Sequence, residues 1–257
     1  DLYTPILLTL KITMGNVTFS VIIPTLNEEK IIGKTLSQFL EYKKKHPERV
    51  EIIVSDDKSS DRTVKIAKKF ADKVILFKGG EKYSAGDCRN RGAKIAKGGI
   101  LVFLDADIIL EDVDSFFTEL LKVFVNNNVI AVAPKVEVYP WESKPIDKII
   151  RAIGNMSVMV LNLLGIGRVS GGCYAVRASH FKKINGFHRH LAVAEDQDLF
   201  YRLSRLGKTK FLSKVRAYES PRRYRKYGYF RVIFVEWTIK GIINHFFPTK
   251  VSWKQIR

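Results

Sequence analysis

Short, uninterrupted apolar stretches recur along the first half of the chain, and segments with helical spacing separate them. The apolar stretches predict strands at residues 17–24, 50–55, 74–77, 100–104 and 129–138. The spacing between them predicts helices at residues 28–44, 61–70, 86–97 and 112–126, with Ser60 as the N-cap of the second. Strands that are apolar throughout are covered on both faces. This alternation therefore predicts an α/β fold with a Rossmann-like, mostly parallel sheet and helices on both faces.

The second half of the chain follows a different pattern. Ile146, Ile149, Ile153 and Val160 repeat with helical spacing and predict a long helix over residues 146–164. The apolar side of this helix fits either packing on the core of the domain or a place at a membrane surface, and of the two we expect packing on the core. A glycine-rich segment, a strand at residues 173–176 and a helix at residues 195–206 follow. No stretch reaches the roughly 20 apolar residues that a membrane-spanning helix requires.

Charge is concentrated near the C-terminus. The chain has a net charge of +18, and residues 201–257 carry 15 Lys and Arg side chains against 2 acidic ones. A lysine-rich, solvated surface is one explanation of this excess. The other is an anionic partner: nucleic acid, a phosphorylated small molecule or a membrane surface. Residues 230–247 are amphipathic and aromatic, which fits a helix at a membrane surface or a homodimer interface. With only two cysteines, a disulfide scaffold is excluded.

Acidic residues follow several of the predicted strands. Glu28 comes after the first strand, Asp57 after the second, and Asp105 and Asp107 after the strand at residues 100–104, while Asp196 opens a later helix. Each one taken singly is explained by a turn or a helix cap. Together they converge on one edge of a parallel sheet and repel one another unless a cation or a ligand neutralises them. The carboxylates of Asp105 and Asp107, two residues apart, suit a Mn²⁺ or Mg²⁺ ion that is shared with substrate phosphates.

The order of several short motifs then becomes informative. The runs SVIIPTLNEE (residues 20–29), VSDDKSSDRT (54–63), AGDCRNRGA (85–93) and FLDADI (103–108) are followed by SGGCYAVRASHFKKINGF (170–187) and AEDQDLFYRLSRLG (194–207). Together they resemble glycosyltransferase family 2, the inverting nucleotide-sugar enzymes of GT-A fold. The resemblance spans about residues 20–207. It implies a UDP- or GDP-sugar donor and a divalent metal ion, Mn²⁺ or Mg²⁺.

The resemblance also implies roles for individual residues. By this resemblance, Pro24, Thr25, Asn27 and Glu28 would line the nucleotide pocket, Asp57 would contact the base, and Arg89 would approach the nucleotide. Asp105 and Asp107 would bind the metal, and Asp196, with Glu195 beside it, would supply the catalytic base. Gly171 and Gly172 would let the backbone approach the sugar or the acceptor, with a plain turn as the equal alternative. Arg222 and Arg223 are candidates for contact with the diphosphate or with an anionic acceptor.

The chain departs from the family in one respect. Many processive members carry a Gln-x-x-Arg-Trp motif after the base, and here a basic and aromatic run at residues 220–228 stands in its place. A polysaccharide synthase is therefore not expected. The predicted organisation is an N-terminal extension (1–15), a GT-A catalytic domain (16–215, with a nucleotide-binding half at 16–135 and an acceptor-side half at 136–215) and a basic amphipathic C-terminal segment (216–257).

The basic and aromatic C-terminal segment suggests where such an enzyme works. It favours a lipid-linked or polyprenyl-phosphate acceptor and a cytoplasmic protein held peripherally on the inner face of the membrane. Two alternatives remain at this stage. A nucleic-acid-binding protein is motivated by the net charge of +18, although no motif that reads RNA or DNA occurs. A nucleotidyltransferase would share the sheet and the acidic site, but it typically needs a glycine-rich loop where Thr25 to Glu29 stand.

Overall fold

Eight strands form one sheet in the computed structural model, which describes residues 18–77, 79, 84–189, 191, 193–229 and 231–232. The strands are β1 (Phe19–Thr25), β2 (Val50–Asp56), β3 (Lys73–Leu76), β4 (Ile100–Leu104), β5 (Ile108–Leu110), β6 (Val129–Val138), β7 (Cys173–Arg177) and β8 (Lys208–Glu219). Their order across the sheet is β3-β2-β1-β4-β7-β6-β8-β5. The first four strands run parallel, β7 is antiparallel to both β4 and β6, β8 is parallel to β6, and β5 is antiparallel to β8.

Nine helices accompany this sheet in the described part of the chain. They are α1 (Ile32–Ser37), α2 (Leu40–Lys45), α3 (Thr63–Ala67), α4 (Ala85–Ile95), α5 (Val113–Phe124), α6 (Pro145–Leu163), α7 (Ala178–Lys183), α8 (Glu195–Ser204) and α9 (Arg222–Tyr227). Apolar clusters fill both faces of the sheet. Phe19 on β1 packs with Phe117 of α5 on one face, and Phe103 on β4 packs with Phe187 on the other. The predicted α/β fold with a mostly parallel sheet is therefore confirmed.

Local differences from the prediction have local causes. The helix expected over residues 28–44 is divided into α1 and α2, which meet at Gln38 and Phe39. Helix α3 begins at Thr63 with Arg62 at its N-cap, so the assignment of Ser60 as the cap was wrong. The backbone N–H of Ser60 instead donates to the side chain of Asn27, 2.7 Å away.

The predicted boundary between residues 215 and 216 falls inside β8. This strand is paired with β6 from Val129 to Val138, and its last residues also pair with β5. Residues 216–219 are therefore part of the sheet, and α9 follows them directly. The predicted extension at residues 1–15 and nearly all of the predicted helix at 230–247 lie outside the described residues.

Helix α6 is turned the opposite way from our expectation. Its buried residues include the polar Asp147, Arg151, Asn155 and Asn162. The apolar residues that were expected to face the core are exposed, with Ile153 at 64%. The expectation that the apolar side of this helix packs on the domain core was therefore wrong. No helix in the described ranges is long and apolar enough to cross a membrane.

Candidate active site

One cavity of about 450 Å³ opens where β1, β2 and β4 end and where α8 and α9 begin. Loops after parallel strands are the usual position of ligand sites in α/β sheets. The cavity is lined by thirteen of the fourteen residues singled out in the sequence: Pro24, Thr25, Glu28, Asp57, Arg89, Asp105, Asp107, Gly171, Gly172, Glu195, Asp196, Arg222 and Arg223. Residues that are up to about 200 positions apart in the chain are thus gathered around one space.

The remaining residue, Asn27, holds the loop that follows β1. It has a positive φ of 55°, its side chain accepts from the backbone N–H of Ser60, and its own N–H donates to the hydroxyl of Ser59 at 2.7 Å. A short polar side chain tolerates this left-handed conformation better than most others do. Asn27 therefore ties the loop after β1 to the loop after β2 and does not line the cavity in this structure.

The adjacent acids Asp56 and Asp57 have different surroundings. Asp56 is buried and accepts hydrogen bonds from the hydroxyls of Thr25 (2.9 Å) and Ser59 (2.5 Å). Asp57 faces the cavity, with Arg91 3.4 Å away, and burial raises its pKa. Asp57 is consequently the member of the pair that is available to a ligand.

Arg89 joins two of the acids. It lies on α4, is buried, and donates to Glu195 at 2.7 Å and to Asp105 at 2.5 Å. A charge of this kind is retained in a protein interior only when it is paired. The cation therefore connects the loop after β4 with the first turn of α8 and offsets part of the negative charge that gathers at this edge of the sheet.

A second arginine closes the other side of the cavity. Arg222, on α9, makes two hydrogen bonds of 3.0 Å with Glu28 and lies 3.1 Å from Asp107. Burial raises the pKa of Asp107 to about 6, and Arg222 opposes that shift. Arg223 also lines the cavity, and burial lowers its pKa. The basic run after β8 thus folds back over the acidic edge.

The residues present suit a cation that is shared with phosphates. Asp105 and Asp107 face the same cavity from the segment between β4 and β5. Within the described ranges, no group of three or more His, Cys, Asp or Glu side chains is placed to hold a metal ion. Mg²⁺ and similar ions are commonly bound by one or two carboxylates together with substrate phosphates and water. The donor set therefore fits a phosphate-bridging Mn²⁺ or Mg²⁺.

Two glycines bring the backbone against the acids. Gly171 and Gly172 have φ values of +79° and +68°, a conformation that side chains rarely adopt. A Cβ atom at Gly171 would lie 3.0 Å from the carboxylate of Asp196, and one at Gly172 would lie 3.8 Å from that of Asp105. The carbonyl of Gly172 also accepts from the N–H of Asp105 at 2.7 Å. The glycine pair therefore leaves open the space between the two carboxylates.

Asp196 is the acid best suited to proton transfer. It lies in the first turn of α8, beside Glu195, and faces the cavity. Burial, reinforced by Glu195, raises the pKa of Asp196 to about 7. A carboxylate with such a pKa takes up a proton near neutral pH more readily than an ordinary aspartate does.

The family follows from a comparison of the whole sequence. The family model described as glycosyl transferase family 2 matches residues 20–185, well over half of the chain. The chain belongs to glycosyltransferase family 2. Membership confirms the resemblance to this family, and it favours a glycosyltransferase over the nucleic-acid-binding and nucleotidyltransferase alternatives.

Relatives in glycosyltransferase family 2 match parts of the chain. The chondroitin synthase of Pasteurella multocida is 31% identical over 125 residues, which cover 47% of this chain and 12% of that protein. The O-antigen chain rhamnosyltransferase WbaN of Salmonella anatum is 26% identical over 198 residues, which cover 74% of this chain and 61% of that protein. The chain thus spans less than two thirds of the length of either relative.

Solved structures share the GT-A fold. The TarS fragment from S. aureus in complex with UDP-GlcNAc has a TM-score of 0.61 and 23% identity, over 79% of this chain and 58% of that one. The mannosyltransferase PcManGT from Pyrobaculum calidifontis, in complex with GDP-Man and Mn²⁺, has a TM-score of 0.61 and 20% identity, over 79% of this chain and 56% of that one.

Among the cavity residues that were not singled out from the sequence of this family 2 chain, three are connected to one another. Glu219 is the last residue of β8, Tyr224 lies on α9, and Ser170 precedes the glycine pair. Arg151 on α6 connects them, since it donates to Tyr224 at 2.6 Å and to Ser170 at 3.3 Å and contacts Glu219. The basic and aromatic run at 220–228 was the available signal for Tyr224. No local pattern points to Arg151, because its partners are distant in sequence.

Proposed function

We propose that this protein is a metal-dependent, inverting glycosyltransferase. It moves a sugar from a UDP- or GDP-sugar to an acceptor hydroxyl or phosphate. The observation that carries the proposal is the convergence of Asp57, Asp105, Asp107 and Asp196 on one cavity of about 450 Å³. This volume is in the range of small-molecule sites. Family membership and neighbours whose structures contain UDP-GlcNAc or GDP-Man with Mn²⁺ support it.

The donor nucleotide would occupy the side of the cavity formed by the loops after β1 and β2. Pro24, Thr25 and Glu28 line that side together with Asp57. The carboxylate of Asp57 would accept an N–H from the edge of a uracil or a guanine. Arg89 would position Asp105 and Glu195 through the hydrogen bonds that it donates to them.

The diphosphate would lie between the acidic loop and α9. Asp105 and Asp107 would hold a Mn²⁺ or Mg²⁺ ion, which when bound would act as a Lewis acid on the leaving diphosphate. Arg222 and Arg223 stand opposite these carboxylates and would stabilise the same developing charge. When the phosphates arrive, they would compete with Glu28 and Asp107 for Arg222.

Asp196 would serve as the base. The acceptor oxygen forms a bond to the anomeric carbon from the face opposite the diphosphate, and the bond between that carbon and the diphosphate oxygen breaks. The proton of an acceptor hydroxyl passes to Asp196, and the bonding electron pair leaves with the diphosphate. A phosphate acceptor is already ionised and needs no such transfer. Gly171, next to Asp196, keeps the approach clear.

The acceptor would be lipid-linked, such as a polyprenyl phosphate, and the protein would work peripherally at the inner, cytoplasmic face of a membrane. The excess of basic residues after position 200 supports this part of the proposal. Homodimerisation through residues 230–247 stays a prediction, as nearly all of these residues lie outside the described part of the chain.

A thermal-shift screen tests the donor assignment. We expect UDP- or GDP-sugars with Mn²⁺ to raise the melting temperature, because ligands that bind only the native state stabilise it by mass action. Asp105→Asn combined with Asp107→Asn should remove the shift and the turnover. Glu41→Gln combined with Glu48→Gln, two exposed acids away from the cavity, is the matched control. Absence of any shift or turnover with the whole panel of nucleotide sugars would sink the proposal.

A further inference from the structure

Helix α6 carries a continuous apolar surface that is exposed among the described residues. Its members recur every three or four residues and therefore share one side of the helix. We call this surface the outward face of α6: Ile146, Ile149, Ile153, Met156, Val160 and Leu163, which range from 42% to 80% exposed. Nineteen residues of helix are about 28 Å long. Contiguous apolar patches of this size mark sites of interaction.

The orientation of the helix is determined by its inner side, which is polar. Asn155 exchanges two hydrogen bonds with the backbone of Val136, at 2.9 and 3.1 Å. Asn162 contacts Thr209 and donates to the carbonyl of Arg168 at 2.7 Å. A rotation of α6 that buried the apolar side would leave these polar groups without partners, at a cost for each of them. The outward face is therefore a stable property of the fold.

The inner side of α6 is also held by polar contacts at the N-terminal end of the helix. Asp147 is buried and accepts from Arg225 of α9 at 2.8 Å, and it contacts Tyr229 as well. Its carboxylate also caps the helix start through the N–H of Lys144. The helix is thus held at both ends by polar contacts, and its apolar side has no role in this packing.

The charges around the outward face match an anionic surface. No acidic residue occurs from Lys148 to Arg168, and the only acid of α6 itself, Asp147, is buried. Lys144 and Lys148 are exposed at the start of the helix, next to the exposed Glu142. A second copy of this chain would carry the same net charge of +18 and the same lysines beside this face, so the two copies would repel each other. Anionic lipid headgroups would instead attract it.

Aromatic side chains extend the outward face at its N-terminal end. Trp141 is 60% exposed and stacks on Tyr139, with ring centroids 4.7 Å apart. The ammonium group of Lys34 lies 4.2 Å from the centre of the Trp141 ring. Tryptophan beside a lysine is typical of the interface between lipid and water, where the ring is partly immersed and the charge stays among the headgroups.

We infer that the outward face of α6, with Trp141 at its end, docks on the surface of an anionic lipid bilayer. The helix would lie in the plane of the interface, as amphipathic helices do. Its inner side reaches the cavity through Arg151, which donates to Tyr224 and Ser170, two residues of the cavity lining. Only one helix diameter, about 10 Å, would separate the lipid from the acceptor side of the site. This inference deepens the membrane part of the proposed function, although lipid binding itself needs no transfer reaction.

Vesicle co-sedimentation tests the inference with the full chain. The vesicles contain phosphatidylcholine alone or phosphatidylcholine mixed with phosphatidylglycerol. Ile153→Glu combined with Leu163→Glu places two charges on the most exposed part of the outward face. Leu40→Glu combined with Val125→Glu is the matched control, since Leu40 of α2 is 44% exposed and Val125, at the C-cap of α5, is 43% exposed. We expect binding to the anionic vesicles, weakened at least about tenfold by the first pair and unchanged by the control.

A second readout locates the contact. Trp237 and Trp253 are replaced by Phe, so that Trp141 is the remaining tryptophan. Its emission should shift to the blue when anionic vesicles are added. Hydrolysis of the nucleotide sugar is measured for every variant. It should stay unchanged in the Ile153→Glu/Leu163→Glu protein, so that a failed transferase assignment and a failed lipid assignment give different results.

Three results would overturn the inference. The first is vesicle binding that the Ile153→Glu/Leu163→Glu pair leaves intact, or no binding at all. The second is a dimer of the wild-type chain that this pair dissociates, which would assign the face to a second copy. The third is a melting temperature of the Ile153→Glu/Leu163→Glu protein that lies far below that of the wild type without vesicles. This result would mean that residues 230–247 of the same chain cover the face.

Discussion

Replacement of Arg89 by methionine is the sharpest test of how the acidic edge of the sheet is held together. Methionine keeps most of the length of the side chain and removes its charge. The two carboxylates that Arg89 now neutralises, those of Glu195 and Asp105, would then face each other in the cavity wall without their shared cation.

The magnitude follows from the burial of the three groups. The side chains of Arg89 and Glu195 are 4% and 10% exposed, whereas Asp105 is 37% exposed and partly screened by water. Removal of one partner from a buried pair costs about 3–5 kcal/mol, and the exposure of Asp105 places this case near the lower end, about 3 kcal/mol. The expected quantity is the loss in the free energy of unfolding at neutral pH.

Urea unfolding followed by far-UV circular dichroism measures this loss. Arg216→Met, which removes the exposed partner of Glu111, is the control and should cost less than about 1 kcal/mol. Addition of Glu195→Gln to the Arg89→Met protein should restore at least about 1 kcal/mol, since it removes the orphaned charge. If Arg89→Met costs no more than Arg216→Met, or if Glu195→Gln restores nothing, the reasoning about this buried cluster is refuted.

Further predictions concern catalysis, pH and strain. Asp196→Asn should lower kcat for a hydroxyl acceptor by roughly 10²–10⁴ while the donor still raises the melting temperature. Because the base acts only when ionised and its pKa is about 7, kcat/KM should fall as the pH drops below that value; a profile that stays flat down to pH 5 contradicts the assignment. Arg225 holds the pKa of Asp147 well below its usual range, so the stabilisation from Asp147 is present above the unfolded pKa of about 4 and is lost as the pH falls. The melting temperatures of wild type and Asp147→Asn should therefore differ at pH 7 and converge in acid. Gly171→Ala should destabilise the protein by about 1–2 kcal/mol through its positive φ and lower turnover, whereas Gly154→Ala, inside α6, should do neither.

Strands that are buried on both faces were the most predictable elements. All five residues of β4 are buried, and both β4 and β6 have the predicted bounds. Strand β8 was not predicted. Its exposed positions carry Lys208, Lys210 and Lys214, and its partner β6 lies about 80 residues earlier in the chain. An edge-like strand of this kind is recognised by its pairing, which only the tertiary structure supplies.

The acids of the site were predictable for a related reason. The loops after β1, β2 and β4 must meet at one edge once the strands are parallel neighbours, so Glu28, Asp57 and Asp105 could be placed together from the strand pattern. Arg89 and Arg222 were also assigned to the site, but their pairing with these acids could not be predicted. Arg222 lies 194 residues from Glu28, and Arg89 lies 106 residues from Glu195. Nothing in the local sequence links those partners. A run rich in lysine and arginine has the same sequence pattern whether it is solvated or paired with acids.

Helix α6 shows where the contribution of the sequence ends. The 3.6-residue period determined which residues share a side: Ile146, Ile149 and Ile153 on one, Asp147 and Asn155 on the other. Periodicity has no information about which side faces inward, and burial of the apolar side is only the commoner outcome. The tertiary structure decided it, because the backbone of β6, Arg225 of α9 and Thr209 of β8 offer hydrogen bonds that only the polar side can satisfy.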